Sequence, residues 1–209
     1  MKVQVLNKSD LELEFVLEDT NPQFANAIRR IAVGEIPILA VDSVDFEHND
    51  SVLYNEIIAH RLAMIPLVFE PKEVHFRDEH EGKKTCGNCE IVLAIDKKGP
   101  CFVYSKDMKS ANKDVSPLYD NIPIVELFEG QKLKLEATAI LGLGKDHAKW
   151  QASNTHYKYH EQNGKSDKSK FVFHVESVSG LRPDKIVLLS IEMLKKKTKE
   201  FQKQLDKIK

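Results

Sequence analysis

The chain has 209 residues, of which 42% are hydrophobic and 30% charged, with eight prolines and nine glycines; this fits one or two globular domains and excludes wholesale disorder. A formal net charge of −1 argues against a protein whose main task is to neutralise phosphates, because such domains usually carry a strong basic excess. No run of about 18 apolar residues occurs and the first residues lack the apolar block of a signal peptide, so a cytoplasmic protein with no membrane span is expected.

Val3, Val5 and Leu6, then Leu11, Leu13, Phe15 and Leu17, alternate about the polar turn Asn7-Lys8-Ser9-Asp10. This predicts a hairpin with one buried face, with strands near 2–7 and 11–18. Asn21 and Pro22 have the chemistry of an N-cap and a first helical residue, opening a helix to about Val33. Phe24, Ile28 and Ile31 share its apolar face, and Gly34 is expected to release the chain through a left-handed conformation. Arg29 and Arg30 are about 100° apart on this helix and cannot both lie on that face. They suit either an ion pair within the chain or contact with another subunit.

An extended segment is expected over 36–46 and a shorter helix over 55–64, ending before Ile65-Pro66. From Glu90 to Leu135 short apolar runs alternate with turn residues, the composition of a β-rich insert. The polar stretch 152–170 has no clear period and reads as loop and edge structure. Phe171-Val172-Phe173-His174-Val175 is a strong strand signal, and Gly180 with Pro183 punctuates the start of a last helix.

In that last helix Val187, Ile191, Leu194, Thr198, Phe201, Leu205 and Ile208 alternate spacings of four and three, a heptad seam with one polar member. Ile186, Leu188, Leu189 and Met193 widen the apolar surface at first, so the helix should be buried early and half exposed late. Charge follows the same division of the chain. Residues 1–50 hold ten acids and four bases, whereas 195–209 hold seven lysines and two acids.

Catalytic motifs are poorly supported. Gly142-Leu143-Gly144-Lys145 resembles a phosphate loop, but Ala139 and Asp146 occupy the positions where that loop needs Gly and Ser or Thr. Asp146-His147 is not matched to a nucleophile by any recognisable pattern. Cys86 and Cys89 have the spacing of half a zinc site, with His75, His80 and Cys101 as the nearby residues that could complete it. A reversible disulfide is a further alternative, and a lone pair at this spacing more often marks plain surface or packed thiols.

Five segments in order, Phe24 to Ala32, Glu35 to Asp42, Asn55 to Leu67, Gly144 to Trp150 and Phe173 to Pro183, resemble the alpha-type subunits of cellular RNA polymerases. His147-Ala148-Lys149-Trp150 is closer to the archaeal D type and the eukaryotic third-largest subunit than to bacterial alpha. The resemblance implies an α+β fold in which 1–47 and 153–209 form a dimerisation domain and 48–152 a β-rich insert. It implies a non-catalytic scaffold that pairs with a small subunit, L in archaea, and docks the large catalytic subunits and the small N and P subunits, meeting DNA only through the complex.

Phe24, Ile28, Ile31, Val187, Ile191, Leu194, Phe201 and Leu205 would then serve the heterodimer. Arg29 and Arg30, with 34–42, would lie toward a large subunit. Eukaryotic relatives hold zinc in the insert through four cysteines, of which only Cys86 and Cys89 have counterparts here. Some archaeal relatives carry a cysteine-rich iron-sulfur domain, and with no such cysteines between Lys149 and Phe171 no cluster is expected. A sequence-tolerant nucleic-acid-binding module using the terminal lysines is the alternative.

Overall fold

The computed structural model describes residues 1–77, 87–162 and 165–208. In chain order its first half holds β1 (Lys2–Lys8), β2 (Glu12–Glu18), α1 (Pro22–Gly34), β3 (Pro37–Asn49), α2 (Asn55–Ala63) and β4 (Leu67–Val68). There follow β5 (Ile91–Lys98), β6 (Cys101–Tyr104), β7 (Lys109–Ser110), β8 (Ser116–Pro117), β9 (Pro123–Leu127) and β10 (Lys132–Leu143). β11 (Ser153–Gln162), β12 (Lys165–Ser177) and α3 (Pro183–Asp206) complete an α+β protein. Among the described residues no helix is long and apolar enough to cross a membrane.

The chain divides into two compact units, Met1–Ile36 with Leu143–Lys209, and Pro37–Gly142. The boundaries implied by the resemblance, 47/48 and 152/153, lie later in the chain than these. Asp42, Asp45 and Glu47 change the composition within the continuous strand β3, not at its start.

The first unit is an antiparallel sheet in the order β1-β2-β12-β11, with α1 and α3 against one face. Alternation places Leu13, Phe15 and Leu17 of β2 beside Phe171, Phe173 and Val175 of β12 in one buried cluster with Ala25 and Ile28 of α1. Phe15 and Phe173 are directly opposed in register, and their rings stack with centroids 5.0 Å apart. Tyr157, opposite Phe173 on β11, adds a ring 5.3 Å from it.

α1 begins as its sequence dictates. The Asn21 side-chain oxygen accepts from the Phe24 N–H at 2.9 Å, and Pro22 occupies the first turn. Asn21→Ala removes that acceptor and is expected to cost about 1 kcal/mol, read as a lower urea midpoint with an unchanged slope. The helix ends differently from expectation. Gly34 has no positive φ, and the turn closes at Glu35, whose N–H donates to the Ile31 carbonyl at 3.0 Å.

The glycine that matters there is Gly144. A Cβ on it would lie 2.7 Å from the Val33 carbonyl oxygen and 3.2 Å from the Cα atoms of Gln151 and Gly34. All three are backbone atoms, so relief requires moving the end of α1 or the turn after Gly144. Gly144→Ala is therefore expected to cost about 1–3 kcal/mol, visible as a lower melting temperature.

Two expectations need correction in this unit. The described residues of the polar stretch 152–170 are strand, β11 at the edge of the sheet paired with β12, so the expected edge structure is present and the expected loop is not. Its inward positions on β11 are Ser153, Thr155 and Tyr157 while Asn154, His156 and Lys158 face out, so the period of two is carried by residues that do not register as apolar. The β1–β2 hairpin buries only β2; every residue of β1 is exposed.

The second unit is built on a sheet of order β3-β10-β5-β7, with the two-stranded pairs β4-β8 and β6-β9. Ile91, Leu93 and Ile95 of β5 alternate inward beside Leu135, Ala137 and Ala139 of β10. α2 buries Ile58 and Leu62, and Arg61 donates to the Ile124 carbonyl at 2.8 Å. That last bond gives Arg61 a structural duty.

Candidate subunit interface

α3 starts at Pro183, whose missing N–H costs nothing in the first turn. Asp184 beside it accepts from Lys8 at 2.7 Å, and that hydrogen bond is the main reason its carboxyl is held below the usual carboxylate range. Ile186 and Ser190 are buried; the Ser190 hydroxyl donates to the Ile186 carbonyl at 2.7 Å within the helix. At about 1.5 Å per residue the 24 residues of α3 run about 36 Å.

The seam changes character along that length. Val187 and Ile191 lean on the aromatic core of their own unit, and Leu194 is half-buried. Beyond it Phe201 is 65%, Leu205 45% and Ile208 81% exposed. Thr198, the polar member, is satisfied inside the helix by donating to the Leu194 carbonyl at 2.8 Å, so it brings no unpaired hydroxyl to a partner. Leu188 is also 65% exposed. The first half of α3 is therefore not covered all round as its composition implied, because only one side of the helix meets the sheet.

A second apolar strip lies on β1. Val3 opposes Leu17 and Val5 opposes Phe15, and directly opposed residues of an antiparallel pair share a face. The apolar floor beneath the helices thus continues onto the edge strand, where Val3 and Val5 are more than half exposed. The alternation alone places these valines on a buried face. The missing signal was positional: β1 pairs with β2 on one side only, at the edge of the sheet.

The other expected interface residues lie elsewhere. Ile28 and Ile31 are buried in the chain's own core, and Phe24 is half-buried against it, so α1 supports the α3 surface from beneath. Arg29 is half-buried and folds back to donate through Nε and Nη2 to the Asn26 side-chain oxygen at 3.1 and 2.8 Å. Arg30 points to solvent. Residues Ile36 to Val41, apart from the half-buried Pro37, are buried.

The residues considered for chemistry are structural where they are described. His147 Nδ1 accepts from the Lys149 N–H at 3.0 Å, capping a short 3-10 turn at Ala148–Trp150, and the Lys149 ammonium sits 4.2 Å from the Trp150 ring centre. Cys89 is buried, and the His75 N–H donates to the carbonyl of neighbouring Asn88 at 3.2 Å. Cys86 and His80 lie outside the described residues. Among the described residues no group of three or more His, Cys, Asp or Glu side chains is placed to hold a metal ion.

Comparison with known proteins finds relatives over most of the chain. The profile of a family described as the RNA polymerase Rpb3/RpoA insert domain matches residues 38–159. The DNA-directed RNA polymerase subunit Rpo3 of Pyrococcus furiosus is 48% identical over 160 residues, 77% of this chain and 59% of the relative. The protein of the same name from Archaeoglobus fulgidus is 43% identical over 151 residues, covering 72% and 57%. That from Methanosphaera stadtmanae is 41% identical over 166 residues, covering 77% and 62%. The matched regions thus span only about three fifths of these curated relatives.

Proposed function

The chain belongs to the RNA polymerase Rpb3/RpoA family, and from that premise we propose that it is a cytoplasmic, non-catalytic assembly subunit of a DNA-directed RNA polymerase. Its first unit pairs with a smaller subunit of the archaeal L type. The pair then offers a docking surface to the large catalytic subunits and the small N and P subunits, and DNA is met only through the finished enzyme. This role draws on packing and charge, with no part assigned to a metal.

The observation that carries the reading is the exposed half of the α3 seam. Phe201 and Leu205, with Ile208 in the turn just past the end of α3, keep heptad spacing after earlier turns that are already anchored on a complete core. Removing a large apolar side chain from water is worth about 1.5–3 kcal/mol when burial is complete. A partner helix that covers all three, together with the Val3 and Val5 strip, gains enough to offset the cost of association. The terminal lysines alone would also suit phosphate contact, but such contact leaves the apolar seam in water.

Co-expression with an L-type small subunit, followed by light scattering of the product and of the chain alone, tests the proposal. A stable 1:1 complex is expected, with self-association of the unpartnered chain. A monodisperse monomer that ignores the small subunit would sink it.

A further inference from the structure

The heptad register of α3 also fixes which residues border its seam. With Leu194, Phe201 and Ile208 at d and Thr198 and Leu205 at a, the bordering e and g positions are Lys195, Lys197, Gln202 and Gln204. All four are exposed, and none is acidic. The acids of this half of the helix, Glu200 and Asp206, fall at c and b, turned away from the seam. Lys197 is ion-paired with Glu35 at the end of α1, which holds one bordering lysine in place beside the apolar row.

Charges at e and g choose partners for paired helices, because they face the partner across the margin of the seam. Two copies of this helix could form no ion pair there in either orientation. They would also bring together two segments, 195–209, that each hold seven lysines and two acids, a net of +5 apiece. A helix with Glu or Asp at its bordering positions meets both lysines with opposite charge, and Gln202 and Gln204 accept it without penalty.

We propose that the lysine-bordered seam of α3 selects a partner helix whose own bordering positions are acidic, and that the same lysines discourage pairing of the chain with itself. The inference rests on the reading that the seam docks a helix, and adds the rule by which that helix is chosen.

Two synthetic four-heptad peptides test it, both with leucine at a and d, one with glutamate and one with lysine at every e and g. Each is titrated by fluorescence anisotropy against the full chain, with the double variant F201D/L205D as the baseline. At about 50 mM NaCl the glutamate peptide is expected to bind about tenfold tighter than the lysine peptide. The gap should close toward about 500 mM, where exposed charges are screened. K195E/Q202E, two exposed substitutions, is expected to reverse the preference with an unchanged far-UV circular dichroism spectrum.

Equal binding of both peptides, lost in F201D/L205D, would overturn the charge rule and leave the docking seam standing. So would an unreversed preference in K195E/Q202E. Binding of neither peptide above the baseline would overturn the seam itself.

Discussion

Phe201→Asp combined with Leu205→Asp is expected to abolish the proposed pairing with an L-type small subunit while leaving the chain folded. Phe201 is mostly and Leu205 nearly half exposed in the single chain, so their loss should change its own stability by no more than about 0.5 kcal/mol. In a paired state each contributes up to about 1.5–3 kcal/mol of burial, and each aspartate would carry an unpaired charge into the seam. The two together should weaken association by about a thousandfold or more, at about 1.4 kcal/mol per factor of ten. Co-purification should be lost with an unchanged melting temperature of the lone chain. Persistence of the complex would move the interface away from the end of α3.

Phe173→Ala should have the largest effect on folding. Its ring is fully buried, stacks on Phe15 and meets Tyr157, and it holds together β2, β12 and β11, three of the four strands of the first unit. Truncation leaves a cavity between strands that hydrogen bonds keep from collapsing. A cost of about 3–5 kcal/mol follows, a large share of the total stability of a domain. Chemical denaturation of the purified chain would show it as a lower midpoint, and a loss under about 1 kcal/mol would mean that the aromatic row is not the keystone of this sheet.

Much of this architecture could be read from the sequence, and the failures have physical causes. The α1 start was legible because Asn21-Pro22 is local chemistry, and α3 because its seam repeats over many turns. β11 escaped notice because its inward side chains, Ser153, Thr155 and Tyr157, include two that look polar. The Ser153 hydroxyl is nevertheless accommodated in the interior by donating to the Ala32 carbonyl at 2.8 Å. The exposure of Phe201 and Leu205 is legible in the seam, whereas that of Val3, Val5 and Leu188 is not. Exposure of an apolar residue depends on whether a tertiary neighbour covers it, and periodicity reports only which face it is on.

The joining of Phe15 to Phe173 also sets an order of events while the protein is being made. The two residues are 158 positions apart (173 − 15), so at about 5–20 residues per second β2 waits on the order of ten to thirty seconds for its central neighbour. During that time the second unit, one uninterrupted stretch from Pro37 to Gly142, is synthesised in full. The amino-terminal hairpin meanwhile keeps Leu13, Phe15 and Leu17 uncovered, beside an edge strand that is bare even in the finished fold. The chain is therefore most vulnerable to non-native association before its last fifth emerges, and timely release of β12 and α3 is a condition for completing its first unit.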